Sequence, residues 1–162
     1  MQKTTNTLTD ILKKTSPSRI DTFLEQNRED ILADHKPFAQ YVRALFREKG
    51  LLQQEVFLNA DIPEGYGYKL VSEEKHTRQR DTILRLCAAA HFSLEETQRA
   101  LKIYGMSPLY ARFPRDAVLI SAFSAGVYKI PDLNALLEKN GQPALRELDA
   151  KNDVKSGQEF IR

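Results

Sequence analysis

The sequence contains no tryptophan, two methionines and a single cysteine, Cys87, among 162 residues. One cysteine cannot form an intramolecular disulfide, and it cannot hold a zinc ion without several further ligands. A protein that depends on neither a disulfide nor a zinc site is typical of a reducing compartment. We therefore expect a cytoplasmic protein, in which Cys87 packs as a small apolar side chain on a helix rather than acting as a nucleophile.

Long apolar runs are also missing. No stretch approaches the roughly 20 residues that a membrane-spanning helix requires, and residues 1–6 carry no hydrophobic segment of the signal-peptide type. Hairpin signals are equally scarce, because the Asn140-Gly141 pair follows a helical pattern and reads as a helix end. A soluble, all-α protein without membrane contact is the prediction.

Catalytic motifs do not occur. The chain has no glycine-rich phosphate loop, no Gly-x-Ser-x-Gly elbow and no pair of carboxylates at catalytic spacing, so we expect neither an enzyme nor a cofactor. The three histidines, His35, His76 and His91, are scattered without a second ligand one helical turn away, and we expect no metal site.

The charge is nearly balanced. Twenty-four basic and 22 acidic residues give a net charge of +2 and a pI near 8.6. An obligate nucleic-acid binder often has a larger basic excess, yet bulk charge neither establishes nor excludes DNA as a partner.

Helical periodicity and chain breakers suggest four regions. An N-terminal helical extension covers residues 1–36, a core module 37–104 and a pair of C-terminal helices 105–145, and a flexible tail is expected over 146–162. Ser93 and Glu96 have capping-box spacing, and Gly105 is suited to end the helix that follows. The apolar run 117–123 fits a buried helix or a strand, and helical surroundings favour the helix.

Residues 49–97 are the most informative part of the chain. Gln53 to Ala60 forms a short helical pattern, which Asp61-Ile62-Pro63 interrupts. A proline that ends one helix is acceptable in the first turn of the next, so a second helix is predicted to begin at Pro63 or Glu64.

This stretch resembles the helix-turn-helix domain of phage-repressor and Xre-type transcriptional regulators. The positions that carry the resemblance are Lys49, Gly50, Leu51, Gln53, Glu55, Val56, Ile62, Leu70, Ile83, Leu84, Leu86, Cys87, Ala90, Phe92 and Leu94. The resemblance implies a lambda-repressor-like core, in which the helix from about Glu64 to Ser72 would be the recognition helix and would lie in the major groove of DNA.

Several positions depart from the family pattern. Phe57 stands where a small residue is usual, and Gly67 stands where the family has an apolar core residue. Gly65 and Gly67 each weaken a helix by about 1 kcal/mol relative to alanine. Tyr66 and Tyr68 are expected to replace the missing packing. Asp61 stands in place of a turn glycine and tolerates left-handed backbone angles.

The resemblance also implies the residues that would meet DNA. Those in base-reading positions are Gln53, Glu64, Tyr68 and Lys69. Glutamine suits adenine and lysine suits guanine, whereas glutamate would accept from a cytosine amine. The tyrosines fit equally well in a core or in a protein interface.

Basic residues beside the module are candidates for phosphate contact. These are Arg43, Arg47, Lys75, Arg78 and Arg80. The alternative for the run from Lys75 to Arg80 is a solvated charged loop, because acidic residues are interspersed with it.

Together these features predict a sequence-specific DNA-binding transcriptional regulator whose partners are double-stranded DNA and a second copy of the chain. The segments 117–123 and 133–137 are candidates for the dimer contact. The alternative is a protein-interaction adaptor or inhibitor built on a helix-turn-helix scaffold, for which the glycine-containing helix and Glu64 argue.

Overall fold

A computed structural model describes residues 3–32, 36–149 and 153–155. The chain divides into two compact units, Met1–His35 and Lys36–Arg162. Helices dominate the described parts of both units, which confirms the all-α fold class. No helix in these ranges combines the length and the apolar composition that crossing a bilayer requires.

The described residues of the first unit, 3–32, form three short helices. Helix α1 spans Thr5–Lys14, a 3-10 turn covers Pro17–Arg19, and α2 and α3 span Ile20–Gln26 and Arg28–Leu32. The Thr4 hydroxyl caps α1 by accepting from the backbone N–H of Thr7, 3.1 Å away.

The second unit contains seven helices among its described residues. Their bounds are α4 Pro37–Glu48, α5 Gln53–Ala60, α6 Glu64–Val71, α7 Arg80–Ala89, α8 Leu94–Tyr104, α9 Pro114–Ser124 and α10 Ile130–Lys139. Two strands of two residues each, β1 Lys75–His76 and β2 Val154–Lys155, form an antiparallel pair.

Local sequence signals set several helix boundaries as predicted. Asp61 ends α5 in the left-handed conformation at φ 56°, and Gly105 ends α8 at φ 87°. Ser93 and Glu96 form the reciprocal capping box at the start of α8. The apolar run 117–123 lies in the helix α9, so the strand alternative is wrong.

Helix α7 forms the centre of the second unit. All of its residues from Asp81 to Ala89 are buried, and α7 packs against α5, α8 and α10. The apolar faces of α9 and α10 are also buried within this unit, through Leu119, Phe123, Leu133 and Leu137. These four side chains are not available for a dimer contact, whereas Val118, Ile120 and Leu136 are only partly buried, so the predicted dimer contact through these segments stays a prediction.

The segment after α10 is hydrogen bonded to the core. The backbone N–H of Arg146 donates to Asp81 Oδ2 at 2.8 Å, and that of Asp149 donates to Gln79 Oε1 at 2.8 Å. Residues Val154 and Lys155 pair with β1. The sequence predicts a flexible tail from residue 146. In the structure, the backbone of the described part of this tail makes these hydrogen bonds, and contacts of this kind produce no apolar pattern in the sequence. Residues 150–152 and 156–162 lie outside the described residues.

Candidate nucleic-acid interface

Helices α5 and α6 are joined by a three-residue turn, Asp61-Ile62-Pro63. The left-handed Asp61 reverses the chain, and the N–H of buried Ile62 donates to the carbonyl of Phe57 at 2.9 Å. Pro63 precedes the first residue of α6, where its missing N–H leaves no intrahelical bond unmade. The turn therefore sets the path of the chain from α5 into α6 by local contacts.

The close packing of the two helices depends on Phe57 and Gly67. Phe57 is fully buried, and a Cβ added at Gly67 would lie 2.5 Å from atoms of the Phe57 ring. The ring thus fills the space that an apolar side chain at position 67 would take. The two tyrosines expected to replace this packing lie beside it: Tyr66 is half-buried against the core, and exposed Tyr68 contacts the Phe57 ring edge-on, with ring centroids 5.1 Å apart.

The predicted base-reading residues divide between the two helices. Glu64, Tyr68 and Lys69 are exposed on α6, and they share the outer surface of this helix, while Leu70 and Val71 point into the core. Gln53 is half-buried and is the first residue of α5.

Two of these side chains already contact each other. The Tyr68 hydroxyl donates to Glu64 Oε1 at 3.1 Å, and the Gln54 side-chain amide donates to Glu64 Oε2 at 3.5 Å. Desolvation of the Tyr68 hydroxyl and its hydrogen bond to the neighbouring Glu64 carboxylate raise the pKa of Tyr68 above its ordinary value. Lys69 contributes a positive charge to the exposed surface of α6.

The predicted phosphate residues have different surroundings. Arg43 and Arg47 are exposed, one turn apart on α4. Lys75 lies in β1 with its Nζ 5.6 Å from the centroid of the Tyr66 ring. Arg78 is exposed, whereas Arg80 forms a two-bond ion pair with buried Asp116 at 3.1 and 2.8 Å. The alternative of a solvated loop is thus wrong for Arg80.

The pair formed by Arg80 has a counterpart formed by the adjacent residues. Arg115 binds Asp81 through two bonds of 2.9 and 2.8 Å, so the first turns of α7 and α9 exchange arginine and aspartate in both directions. Bidentate geometry of this kind is the strongest form of a side-chain ion pair. The exchange attaches the C-terminal helices to α7.

The sequence did contain a signal for this exchange. Residues 80–84 read Arg-Asp-Thr-Ile-Leu and residues 115–119 read Arg-Asp-Ala-Val-Leu, and each pentapeptide opens a helix. Comparing the two helix starts would have identified the four charged residues as a set. Their pairing across 34 to 36 positions could be found only in the folded chain.

Arg85 is a further residue that sequence reasoning missed. Its guanidinium is buried on α7 and donates to the carbonyl of Leu145 at 2.9 Å and to that of Arg146 at 2.7 Å. A longer contact of 3.5 Å reaches the carbonyl of Ala60, the last residue of α5. Arg85 therefore connects the helix-turn-helix to the segment after α10.

A cleft of about 480 Å³ lies at the start of α7. We call it the arginine cleft, because four guanidinium groups and one carboxylate are among its lining residues, which are Arg78, Gln79, Arg80, Asp81, Arg115, Pro143, Ala144 and Arg146. Two of the arginines come from the region around the start of α7, and two come from the C-terminal part of the chain.

A second cleft, of about 570 Å³, adjoins the helix-turn-helix. We call it the acidic cleft; its lining combines carboxylates with apolar groups and consists of Gln54, Phe57, Leu58, Asp61, Ile62, Pro63, Glu64, Glu147 and Leu148. Leu58 is 78% exposed at its edge. The two clefts thus have opposite charge.

Comparison of the chain with family models, curated proteins and solved structures found no match. Among the described residues, no group of three or more His, Cys, Asp or Glu side chains is arranged to hold a metal ion. His35 lies outside the described residues.

Proposed function

We propose that the chain is a DNA-binding transcriptional regulator of the helix-turn-helix type, with a lambda-repressor-like core formed by α4 to α8. The observation that carries the proposal is the α5–turn–α6 unit, in which one face of α6 is buried and the opposite face exposes Glu64, Tyr68 and Lys69. A helix supported in this way can enter the major groove, which accepts one α-helix.

The mechanism we propose is steric. Two copies occupy half-sites about one helical turn apart and block or recruit polymerase. Lys69 donates to guanine and Gln53 to adenine, while Arg43, Arg47, Lys75 and Arg78 contribute positive charge towards phosphates. The terminal nitrogens of Arg80 do not contact phosphate in this mechanism, because both of them donate to Asp116.

The test begins with selection of a preferred duplex from a random-sequence library, followed by fluorescence anisotropy on that duplex and on a scrambled one. Lys69→Gln is expected to lower affinity for the selected duplex by about tenfold, since one good base contact contributes about 1–3 kcal/mol, and to affect the scrambled duplex less. Lys102→Gln, at an exposed position on α8, is the matched control. If wild type does not bind duplex DNA at 50 mM salt, or if its affinity does not fall as the salt concentration rises, the proposal is overturned.

A second candidate function is a protein-interaction adaptor or inhibitor. It is favoured by the acidic cleft, which lies beside α6 and places three carboxylates next to the exposed Leu58. Such a surface repels DNA phosphates and attracts a basic amphipathic segment of a partner. A synthetic Leu/Lys-rich helical peptide is the probe. Leu58→Ser is expected to weaken its binding by about tenfold, as for a central apolar anchor, whereas Leu52→Ser, at another exposed leucine outside the cleft lining, should have little effect.

A further inference from the structure

Four guanidinium groups line the arginine cleft. Among the described residues that line it, Asp81 is the only one with a carboxylate, and Asp116 pairs with Arg80 through two hydrogen bonds. The lining residues and Asp116 together therefore carry four positive and two negative charges. Four guanidinium groups in one cleft favour the binding of an anion.

The donors in the cleft are not all used by the protein. Arg115 is largely committed, since it binds Asp81 and the carbonyls of Pro143 and Ala144. Within the described part of the chain, however, the buried Nε–H of Arg80 has no hydrogen-bond acceptor. A buried donor without an acceptor is costly, and a ligand oxygen is one way to satisfy it.

The side chain of Arg146 contributes a positive charge to this cleft. Its backbone is fixed at both ends, because the N–H donates to Asp81 and the carbonyl accepts from Arg85. The side chain itself is exposed and lines the cleft. These backbone bonds fix the position of residue 146, while its guanidinium is exposed at the cleft.

We propose that the arginine cleft is a binding site for a phosphate group, and that a backbone phosphate of DNA is the source of this group. Guanidinium is the side chain best suited to phosphate, through parallel N–H donors. The site is composite, since Arg78 and Arg80 precede or begin α7 whereas Arg115 and Arg146 belong to the C-terminal part. The inference rests on the proposed function for its source, and it gives the C-terminal helices a direct part in binding.

The experiment compares wild type with Arg146→Gln, Arg78→Gln and the control Lys102→Gln by fluorescence anisotropy on duplex DNA across a salt series. Arg146→Gln removes one charge and leaves both backbone bonds of residue 146 in place. If the cleft holds a phosphate, the slope of log K against log salt becomes shallower by about 1 in Arg146→Gln and stays unchanged in Lys102→Gln. Wild-type slopes in both Arg146→Gln and Arg78→Gln, with DNA still bound, would overturn the cleft and leave the proposed function standing.

A second arm separates the source of the phosphate from its chemistry. Thermal unfolding is followed with increasing pyrophosphate, using chloride at equal ionic strength as the reference. If wild type does not bind DNA, the proposed function fails, but stabilisation of wild type and not of Arg146→Gln by pyrophosphate still supports a phosphate site with a free ligand. If wild type and Arg146→Gln differ neither in the salt slope of DNA binding nor in stabilisation by pyrophosphate, the inference is overturned. Circular dichroism of each variant at 20 °C checks that it is folded.

Discussion

Gly67 lies directly against the ring of Phe57, so that a Cβ atom at position 67 would come within 2.5 Å of the ring. Each residue alone departs from the helix-turn-helix pattern, because Phe57 is larger and Gly67 smaller than usual. Together the larger Phe57 and the smaller Gly67 keep the total side-chain volume at the α5–α6 contact. Cores tolerate such exchanges when the total volume is kept.

The first prediction concerns the two glycines of α6. Gly67→Ala is expected to lower the free energy of unfolding by about 1–3 kcal/mol, because the added methyl overlaps a buried ring, although alanine is the better helix former. Gly65→Ala is the matched control: a Cβ at Gly65 has no atom within 4 Å. This control should raise the free energy of unfolding by up to about 1 kcal/mol. Urea denaturation measures both.

The same pair supplies an internal check. In a Phe57→Leu background the space beside position 67 is larger, so Gly67→Ala should cost less there than in wild type, by about 1 kcal/mol for a contact of this size. An equal cost in both backgrounds would show that Phe57 is not the residue that excludes a side chain from position 67.

The sequence predicts those features that depend on neighbours in the chain. The ends of α5 and α8 at Asp61 and Gly105, and the capping box of Ser93 and Glu96, are set within one helical turn. The partner of Gly67 could not be predicted, because it belongs to another helix and the contact has no local pattern. Arg80 illustrates the same limit for the site: its partner Asp116 is 36 positions away, and the pairing occupies both terminal nitrogens of the guanidinium.

A second prediction concerns the ion pair between Arg115 and Asp81. Arg115→Gln is expected to lower the free energy of unfolding by about 3 kcal/mol, the lower end for a buried pair because the Arg115 side chain is 23% exposed. Asp81→Asn together with Arg115→Gln should cost less than the sum of the two single changes, by about 0.5–3 kcal/mol. Urea denaturation of the four proteins gives the coupling, and strictly additive effects would contradict a direct pair.

The pH dependence of stability provides a third prediction. Burial of Asp81 acts to raise its pKa, but the hydrogen bonds from Arg115 and from the Arg146 N–H, together with the arginine charge, outweigh burial and leave the pKa below its ordinary value. A carboxylate whose pKa is lower in the folded state stabilises the fold above the unfolded pKa of about 3.9. This stabilisation is lost as the pH falls through the folded-state pKa.

The measurement is urea denaturation of wild type and Asp81→Asn from pH 7 to pH 3. The difference in free energy of unfolding between the two proteins should be constant above about pH 5 and should shrink as the pH falls below about 4. A difference that grows on acidification would mean that Asp81 has a raised pKa and that Arg115 does not stabilise its charge.

A fourth prediction concerns Arg85, which holds the carbonyls of Leu145 and Arg146. Arg85→Met keeps the apolar volume on α7 but removes both donors, and hydrogen bonds to charged groups contribute about 1.5–3 kcal/mol each. The amides of residues 145 and 146 should therefore exchange with solvent about ten- to a hundredfold faster, measured by hydrogen exchange. Arg99→Met, at an exposed arginine of α8, is the control. Equal protection of these amides in both variants would show that Arg85 does not hold this segment.

The last prediction uses the single cysteine as a reporter of global unfolding. Burial is the main cause that raises the pKa of Cys87 to about 12, and the thiolate is the reactive form. Labelling by a disulfide reagent at pH 8 should therefore be at least about a thousandfold slower in the folded protein than in urea, since it requires opening of the central helix α7. A Leu58→Cys variant in a Cys87→Ala background should react at once, because position 58 is 78% exposed. Comparable rates in the two proteins would place Cys87 on an accessible surface and contradict the packing of α7 at the centre of the fold.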